Sequence, residues 1–296
     1  MIVTWQHLIK IIIVVQLNYA VGLSPVHKVA NPRDWKIVES LAEEYPYIVA
    51  LLNASKDYMC TGIIVNKKTV LTSGSCIDPD LYYIAVGSAV LSKSINNNSL
   101  FEIAATRIHS DYVFDLRPYD PNVTRLHSNI GLVFSVRSEL EAYIPHADLG
   151  NYYASELQDK NVKVVGYGKI STSNMYVLQH QAYHQTPCMN PKWYYCICGY
   201  EYSAYSKTYE QEFGKGAPVF LRREVIGVAA SPCGAMELPD GIKYNIFTVI
   251  GPYMSWIQKE HPNITKPIVF RTRNRAHSST GRCGIYILFI ISKVIY

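Results

Sequence analysis

The chain has 296 residues and a formal net charge of +5 at pH 7. This charge is concentrated at one end, since residues 261–296 contain six of the 28 basic residues and no acidic residue. Residues 1–260 therefore hold 22 basic against 23 acidic residues, a net charge of −1, which argues against a nucleic-acid or heparin-like binding surface. We expect no nucleic-acid partner.

Residues 1–20 have the features of a secretory signal peptide. Lys10 precedes the apolar run Ile11–Val15, and the small residue Ala20 lies where cleavage is expected. This run is too short to span a bilayer as a helix. The sequence therefore predicts a secreted, extracellular protein.

Four N-x-S/T sequons are consistent with a secreted surface. Such sequons often arise by chance, so we expect only some of them to carry a glycan. Asn53 is a candidate for a shielded position at the end of a strand. The four asparagines are Asn53, Asn97, Asn122 and Asn263.

The body of the chain has the pattern of an all-β protein. Short alternating apolar runs are separated by Gly, Pro and Asn or Asp turns, which is typical of β-strands. Clear examples of such runs are Tyr47–Leu52, Thr61–Val65, Lys163–Val165 and Val225–Val228. The roughly 224 residues between 37 and 260 are enough to bury a sizeable core.

A helix is predicted at the end of this body. Pro252 favours a helix start, and the helix is expected to continue to about Glu260. Tyr253, Trp256 and Ile257 have the spacing of one inward face.

The last segment, residues 261–296, is a basic and then apolar tail. Gly284–Tyr296 is apolar apart from Lys293 and is too short to span a bilayer. It follows the small residues Ser278–Gly281 and weakly resembles a lipid-anchor signal. Membrane association is therefore expected only if this tail is an anchor signal, and we favour a disordered terminus.

Several segments in the body follow one another in the order of a known family. C-T-G-I-I-V at Cys60–Val65 and L-T-S-G-S-C at Leu71–Cys76 are similar to C-G-G-S-L-I and L-T-A-A-H-C. Ser128–Val133 is similar to D-I-A-L-L, and Gly214–Val219 to the end of G-D-S-G-G-P-L. Further matches are Ile108–Tyr112, Gly166–Gly168 and Tyr253–Ile257.

With these motifs, residues 37–260 resemble the chymotrypsin/trypsin-like serine proteases, peptidase family S1. The resemblance implies an all-β fold of two six-stranded antiparallel barrels with a C-terminal helix. It implies no cofactor, and we expect no metal site.

The resemblance also implies that all three positions of the catalytic triad are replaced. Ser75 occupies the histidine position, Asn129 the aspartate position and Lys215 the nucleophilic serine position. A serine hydroxyl is a weak nucleophile until an imidazole takes its proton, and a carboxylate must orient that imidazole. A hydroxyl, an amide and an amine do not supply these groups, so we expect an inactive homologue.

Supporting parts of the family's site are replaced as well. Phe213 takes the place of the oxyanion-hole glycine, and Tyr209 occupies a specificity-pocket position. Gly214 replaces the aspartate that pairs with the new amino terminus in activated enzymes. Residues 21–36 resemble a short pro-segment, but cleavage at Lys36 is not expected to activate this chain.

Seven cysteines in an oxidising compartment imply disulfide bonds. The resemblance pairs Cys60 with Cys76. It favours Cys188–Cys196 with Cys198–Cys233, and the alternative is Cys188–Cys198 with Cys196–Cys233. Cys283 is then the unpaired cysteine.

We therefore expect a secreted serine protease homologue that binds a protein partner, for example a protease-cascade component. Tyr200, Tyr202, Tyr205 and Tyr209 are candidates for an aromatic contact surface, or else pack the barrel rims. One alternative is a residual hydrolase using a rearranged Ser75/Lys215 pair, which requires a neutral Lys215. Another is a structural or carrier glycoprotein. His127 is more consistent with a loop or barrel-edge histidine than with a relocated base.

Overall fold

The computed structural model describes residues 39–96, 99–115, 125–136, 140, 146–170, 175–188, 193–201, 214–230, 236–237 and 243–260. Several sequence predictions lie outside these residues. They concern the signal peptide over 1–20, the pro-like segment over 21–36 with Lys36, the sequons at Asn97, Asn122 and Asn263, Tyr202, Tyr205, Tyr209, Phe213, Cys233, Cys283 and the tail over 261–296.

The first half of the described chain forms one closed barrel and a small ribbon. The eight strands are β1 (Ile48–Asn53), β2 (Tyr58–Asn66), β3 (Thr69–Thr72), β4 (Leu81–Ala85), β5 (Leu100–Ile108), β6 (Val113–Asp115), β7 (Arg125–His127) and β8 (Gly131–Ser135). The barrel order is β1-β2-β3-β8-β5-β4, and β6 pairs with β7 as a separate ribbon. Apolar, largely β-branched runs in β1 to β3 are buried, because both faces of these strands are covered.

The second half forms another closed barrel. Its strands are β9 (Asn161–Lys169), β10 (Tyr176–Thr186), β11 (Cys196–Glu201), β12 (Pro218–Leu221), β13 (Glu224–Ala229), β14 (Met236–Glu237) and β15 (Lys243–Val249). They follow the order β11-β10-β9-β12-β13-β15-β14, and the additional β11–β15 pairing closes six of them into a barrel. All pairings are antiparallel. The predicted fold of two six-stranded antiparallel barrels is confirmed.

Few helices accompany the barrels in the described ranges. They are α1 (39–44), α2 (Leu91–Asn96), α3 (Ala154–Leu157) and α4 (Met254–Lys259), with 3₁₀ turns at Gly74–Cys76 and Gly251–Tyr253. The predicted C-terminal helix is α4; Pro252 lies in the 3₁₀ turn that precedes it, and Tyr253 and Ile257 are buried while Trp256 is half-buried. Within the described ranges, we find no helix with the length and apolar composition needed to cross a bilayer.

The two barrels share one apolar core. Ile63 and Leu71 from the first barrel belong to the same buried cluster as Val165, Tyr167 and Phe220 from the second. Burial of apolar surface contributes about 25 cal/mol of stabilising free energy per Å² removed from water. The shared core therefore holds the two barrels together. The loops at their junction are therefore held in a defined relative position.

The structure contains two disulfide bonds among the described cysteines. Cys60–Cys76 is present as predicted, with a Cα–Cα distance of 6.0 Å. Cys188 is bonded to Cys198 with a Cα–Cα distance of 4.9 Å, so the favoured Cys188–Cys196 and Cys198–Cys233 pairing is wrong.

The register of β10 against β11 explains the corrected pairing. Thr186 is the last residue of β10 and lies opposite Cys198. Because the strand ends there, the register does not extend to a Cys188–Cys196 pair. Cys196 keeps a free, buried thiol that donates to the Tyr194 carbonyl oxygen at 3.3 Å, and burial raises its pKa.

Candidate functional site at the barrel junction

Two short turns meet at the junction of the barrels. The first turn, residues 73–76, follows β3, and the second turn, residues 214–217, precedes β12. Ser75 belongs to the first turn and Lys215 to the second. The first turn is closed by the Cys60–Cys76 disulfide and by a hydrogen bond from the Cys76 amide to the Ser73 carbonyl at 3.1 Å.

Asn129 joins the first turn to the second barrel. Its side chain is fully buried, and its Oδ1 accepts a hydrogen bond from the Ser75 amide at 2.8 Å. Its Nδ2 donates to the Ala230 carbonyl oxygen at 3.2 Å. A carboxylate at this position would have no proton to donate to Ala230, so the amide fits these two partners better.

The Ser75 hydroxyl is engaged by neutral oxygens. It shares a hydrogen bond of 2.7 Å with the Ser73 hydroxyl and donates to the Ala230 carbonyl oxygen at 3.5 Å. The latter distance is long for an O–H···O hydrogen bond and indicates a weak contact. None of these partners is a base that takes a proton near pH 7.

The backbone of the second turn is fixed by its neighbours. The Thr61 amide donates to the Lys215 carbonyl oxygen, and the Gly216 amide to the Ala229 carbonyl oxygen, both at 2.9 Å. Gly216 has φ of +78°, and a Cβ on it would overlap both Thr72 Oγ1 and the Thr61 carbonyl oxygen. Only glycine therefore fits after Lys215 without displacing the turn.

The Lys215 side chain lies against an aromatic wall. Its Nζ is 5.8 Å from the centroid of the Phe114 ring, within the range of a cation–π contact. Phe114 stacks on Tyr112 with an interplanar angle of 11°. Tyr112 packs on Gly74, since a Cβ there would lie 2.9 Å from its ring. This wall connects Lys215 to the first turn.

Tyr58 fills the space beside Gly214. A Cβ on Gly214 would overlap the Tyr58 hydroxyl, so no side chain fits there while Tyr58 keeps its position. That hydroxyl hydrogen-bonds with Thr61 Oγ1 at 2.8 Å and donates to the Tyr167 carbonyl oxygen at 3.1 Å. The Tyr167 amide in turn donates to Thr61 Oγ1 at 3.0 Å, which closes the hydrogen-bond network.

The role of Tyr58 was not anticipated from the sequence. The glycine at position 214 was the only available signal, since it replaces the family's aspartate and leaves room for another group.

We call the junction between the first and second turns the cleft. His127 is the last residue of β7, two residues before Asn129, and has its own partners. Its Nδ1 is 2.9 Å from the Asp111 carbonyl oxygen and 2.9 Å from the Ser128 hydroxyl. Its ring contacts Tyr194 with the centroids 5.1 Å apart. Tyr253 donates to the Ser128 hydroxyl at 3.3 Å, and burial raises the pKa of Tyr253 to about 12. These contacts are those of a barrel-edge histidine.

Two further predicted positions lie away from the junction. Asn53 is the last residue of β1; its Oδ1 accepts from the Asp57 amide at 2.8 Å and its Nδ2 donates to Asp57 Oδ2 at 3.2 Å. Tyr200 packs its ring against His184 and Tyr244, with centroid distances of 5.2 and 6.2 Å. Tyr200 therefore contributes to the rim of the second barrel.

Two closed six-stranded antiparallel barrels packed against each other define the class of chymotrypsin-like folds. Residues 35–257 match the family model described as Trypsin, and the chain belongs to this family, the chymotrypsin/trypsin-like serine proteases.

Curated and solved relatives agree with this assignment. The chain is 21% identical over 239 residues to trypsin Tyr p 3.0101 of Tyrophagus putrescentiae, covering 74% of this chain and 77% of that protein. It is similar in fold to neuropsin, a serine protease expressed in the limbic system of mouse brain, with a TM-score of 0.56, 19% identity and coverage of 75% and 97% of the two chains. Kallikrein-related peptidase 10 in complex with Zn²⁺ gives a TM-score of 0.54, 19% identity and coverage of 73% and 95%.

Proposed function

We propose that this trypsin-family chain is a secreted, catalytically inactive homologue that acts by binding a protein partner. The observation that supports inactivity is the bonding of Asn129. The Asn129 side-chain oxygen accepts a hydrogen bond from the Ser75 amide, and its nitrogen donates one to the Ala230 carbonyl oxygen. In an active enzyme of the family, the group at this position orients an imidazole instead.

The groups in the cleft do not form a proton relay. Ser75 presents a hydroxyl that needs a base, and its close partner is the hydroxyl of Ser73. The ammonium of a lysine donates three hydrogen bonds and has no lone pair with which to attack a carbonyl carbon. The contact of Lys215 with the Phe114 ring suits that cationic form.

Exposed tyrosines near the cleft support a binding role. Tyr194 and Tyr195 are 55% and 49% exposed, and the Tyr194 amide donates to the Leu126 carbonyl oxygen at 3.0 Å, which places this pair beside β7. Tyrosine is enriched in protein–protein contacts because it combines apolar area with a polar hydroxyl. We propose that this pair contributes to the partner surface.

Catalytic inactivity is tested with a fluorophosphonate probe and a peptide ester, using the secreted full chain and active trypsin as the positive control. We expect no labelling and a hydrolysis rate equal to that of Ser75→Ala. Hydrolysis that is lost in Ser75→Ala would support the rearranged Ser75/Lys215 hydrolase instead.

Binding is tested by titrating the immobilised chain with fractions of its native extracellular fluid. We expect saturable capture that weakens in Tyr194→Ala/Tyr195→Ala and is unchanged in Tyr82→Ala, which removes a tyrosine that is 46% exposed. If no saturable partner is recovered, the structural or carrier glycoprotein becomes the better proposal.

A further inference from the structure

We propose that Lys215 makes the cleft a binding site for a carboxylate of the partner protein. The carboxylate is either an acidic side chain or a chain terminus. This inference rests on the proposed function, because Lys215 is at the family's nucleophile position and is assigned a role in binding instead of catalysis.

The site is held in place before any ligand binds. The carbonyl of Lys215 is hydrogen-bonded by the Thr61 amide, and Gly216 next to it has no room for a side chain. A cation presented from a fixed backbone loses less conformational freedom on binding than one on a mobile loop. The second turn therefore provides a fixed backbone position from which the Lys215 side chain extends.

The ammonium retains its hydrogen-bonding capacity in this position. Among the described residues, the Lys215 ammonium contacts the face of the Phe114 ring. The ring attracts the positive charge but offers no lone pair, so the three N–H groups of the ammonium can still donate hydrogen bonds. The ion pairs among the described residues involve the cationic side chains Lys93, Arg107, Lys163 and His184, and not Lys215. Among the described residues, therefore, no carboxylate pairs with the Lys215 ammonium, and it can bind a carboxylate of another molecule.

Ser75 offers a second donor on the first turn. If the Ser73 hydroxyl donates to Ser75, the Ser75 proton goes only to the long 3.5 Å contact with the Ala230 carbonyl. Redirecting that proton to a ligand oxygen gives up a weak hydrogen bond for a charge-assisted one. Asn129 keeps the Ser75 backbone in place during this change.

The composition of the site favours a carboxylate over a phosphate. One ammonium and one hydroxyl match a single negative charge, whereas phosphate sites in proteins usually combine arginine forks or several amide donors. The stacked rings of Phe114 and Tyr112 provide an apolar wall for the carbon atoms attached to the carboxylate.

The test uses four five-residue alanine-based peptides with a fluorescent amino-terminal label. The first has a central Glu and an amidated terminus, and its control has Gln at the same place. The second pair has no acidic side chain and ends in a free carboxylate or in an amide. Affinity for the full chain is measured by fluorescence anisotropy at low and high salt.

We expect at least one carboxylate peptide to bind about tenfold more tightly than its neutral control, since a charge-assisted hydrogen bond contributes about that much. The preference should disappear in Lys215→Met, persist in part in Lys215→Arg, and decrease at high salt. Which pair shows the preference identifies the source of the carboxylate.

Equal affinity for both members of each pair, no binding of any peptide at millimolar concentration, or a preference that survives Lys215→Met would overturn the carboxylate site. Thermal unfolding of Lys215→Met shows that the variant is folded. Mass spectrometry of the peptides after incubation separates the two proposals: cleaved peptide contradicts the inactive homologue, whereas intact peptide without a carboxylate preference contradicts only this site.

Discussion

The two turns that bound the cleft are held in place by different means. The first turn depends on a disulfide and on the buried Asn129 amide, which bonds to the Ser75 backbone. The second turn depends on backbone hydrogen bonds and on Gly216, which has no room for a Cβ. Of the three triad positions, only Asn129 supplies a side chain to these restraints, and the side chains of Ser75 and Lys215 are not part of them. The position of the two turns therefore depends on the group at one triad position and not on the groups at the other two.

The largest effect is expected when the second turn loses its glycine. In Gly216→Ala the new methyl group meets the Thr61 carbonyl and Thr72, and the residue must also keep a positive φ. Together these should reduce the free energy of unfolding by at least about 3 kcal/mol, measured by urea denaturation.

Gly87→Ala is the matched control for this prediction. Gly87 has φ of +77°, almost the same as Gly216, but a Cβ there meets nothing within 4 Å. We expect a loss of about 1 kcal/mol from the backbone conformation alone. Similar losses for both variants would show that Thr72 and the Thr61 carbonyl do not obstruct a methyl group at position 216.

An intermediate effect is expected in the first turn. Asn129→Ala removes the partners of the Ser75 amide and the Ala230 carbonyl, and should cost about 2 kcal/mol in the free energy of unfolding. Ser110→Ala is a suitable control, because the Ser110 hydroxyl makes an exposed hydrogen bond to its neighbour Asp111. A loss below about 1 kcal/mol for Asn129→Ala would mean that the disulfide alone holds this turn.

Asn129→Asp adds a pH dependence to the same comparison. Burial and the facing Ala230 carbonyl should raise the pKa of the new carboxyl in the folded state above its unfolded value of about 3.9. Stability is then fully present below that unfolded pKa, where the protonated carboxyl donates to Ala230, and is lost as the pH rises. Urea titrations at about pH 4 and about pH 7 should therefore differ more for this variant than for the unmodified chain.

The smallest effect is expected at Tyr58, which supports the second turn from the first barrel. Tyr58→Phe removes one hydroxyl from the closed network with Thr61 and Tyr167, and should cost about 1 kcal/mol in the free energy of unfolding.

Gly214→Ala should be less destabilising in the Tyr58→Phe background than alone, because the Tyr58 hydroxyl is the group that the new Cβ would overlap. Additive losses in the double variant would contradict this account of Tyr58.

The sequence was most informative where its signals are local. Alternating apolar residues in β1, β2, β9 and β13 predicted strands, and these runs lie within strands of the structure apart from shifts at their ends. The family motifs placed Ser75 and Asn129 together, and the structure joins them by a hydrogen bond across 54 positions. The resemblance to the family likewise implied the Cys60–Cys76 disulfide, which the structure contains.

The sequence failed where the answer depends on where a strand ends or on distant packing. Cys196 and Cys198 are two residues apart, so spacing alone does not distinguish them as partners of Cys188, and the end of β10 at Thr186 decides the outcome. The position of Tyr58 depends on a partner 109 residues away, and no local pattern reports such a contact. The contact of Lys215 with Phe114 is of the same kind.

The closure of both sheets limits how another molecule can be recognised. Strands β1 and β4 pair with each other, as do β11 and β15, so the barrel walls complete their hydrogen-bond ladders internally. A ligand that approaches a closed wall meets no row of unpaired amides to extend by adding a strand of its own. Recognition at these walls is therefore left to side chains and connecting loops, which can change between relatives without reorganising the framework beneath them.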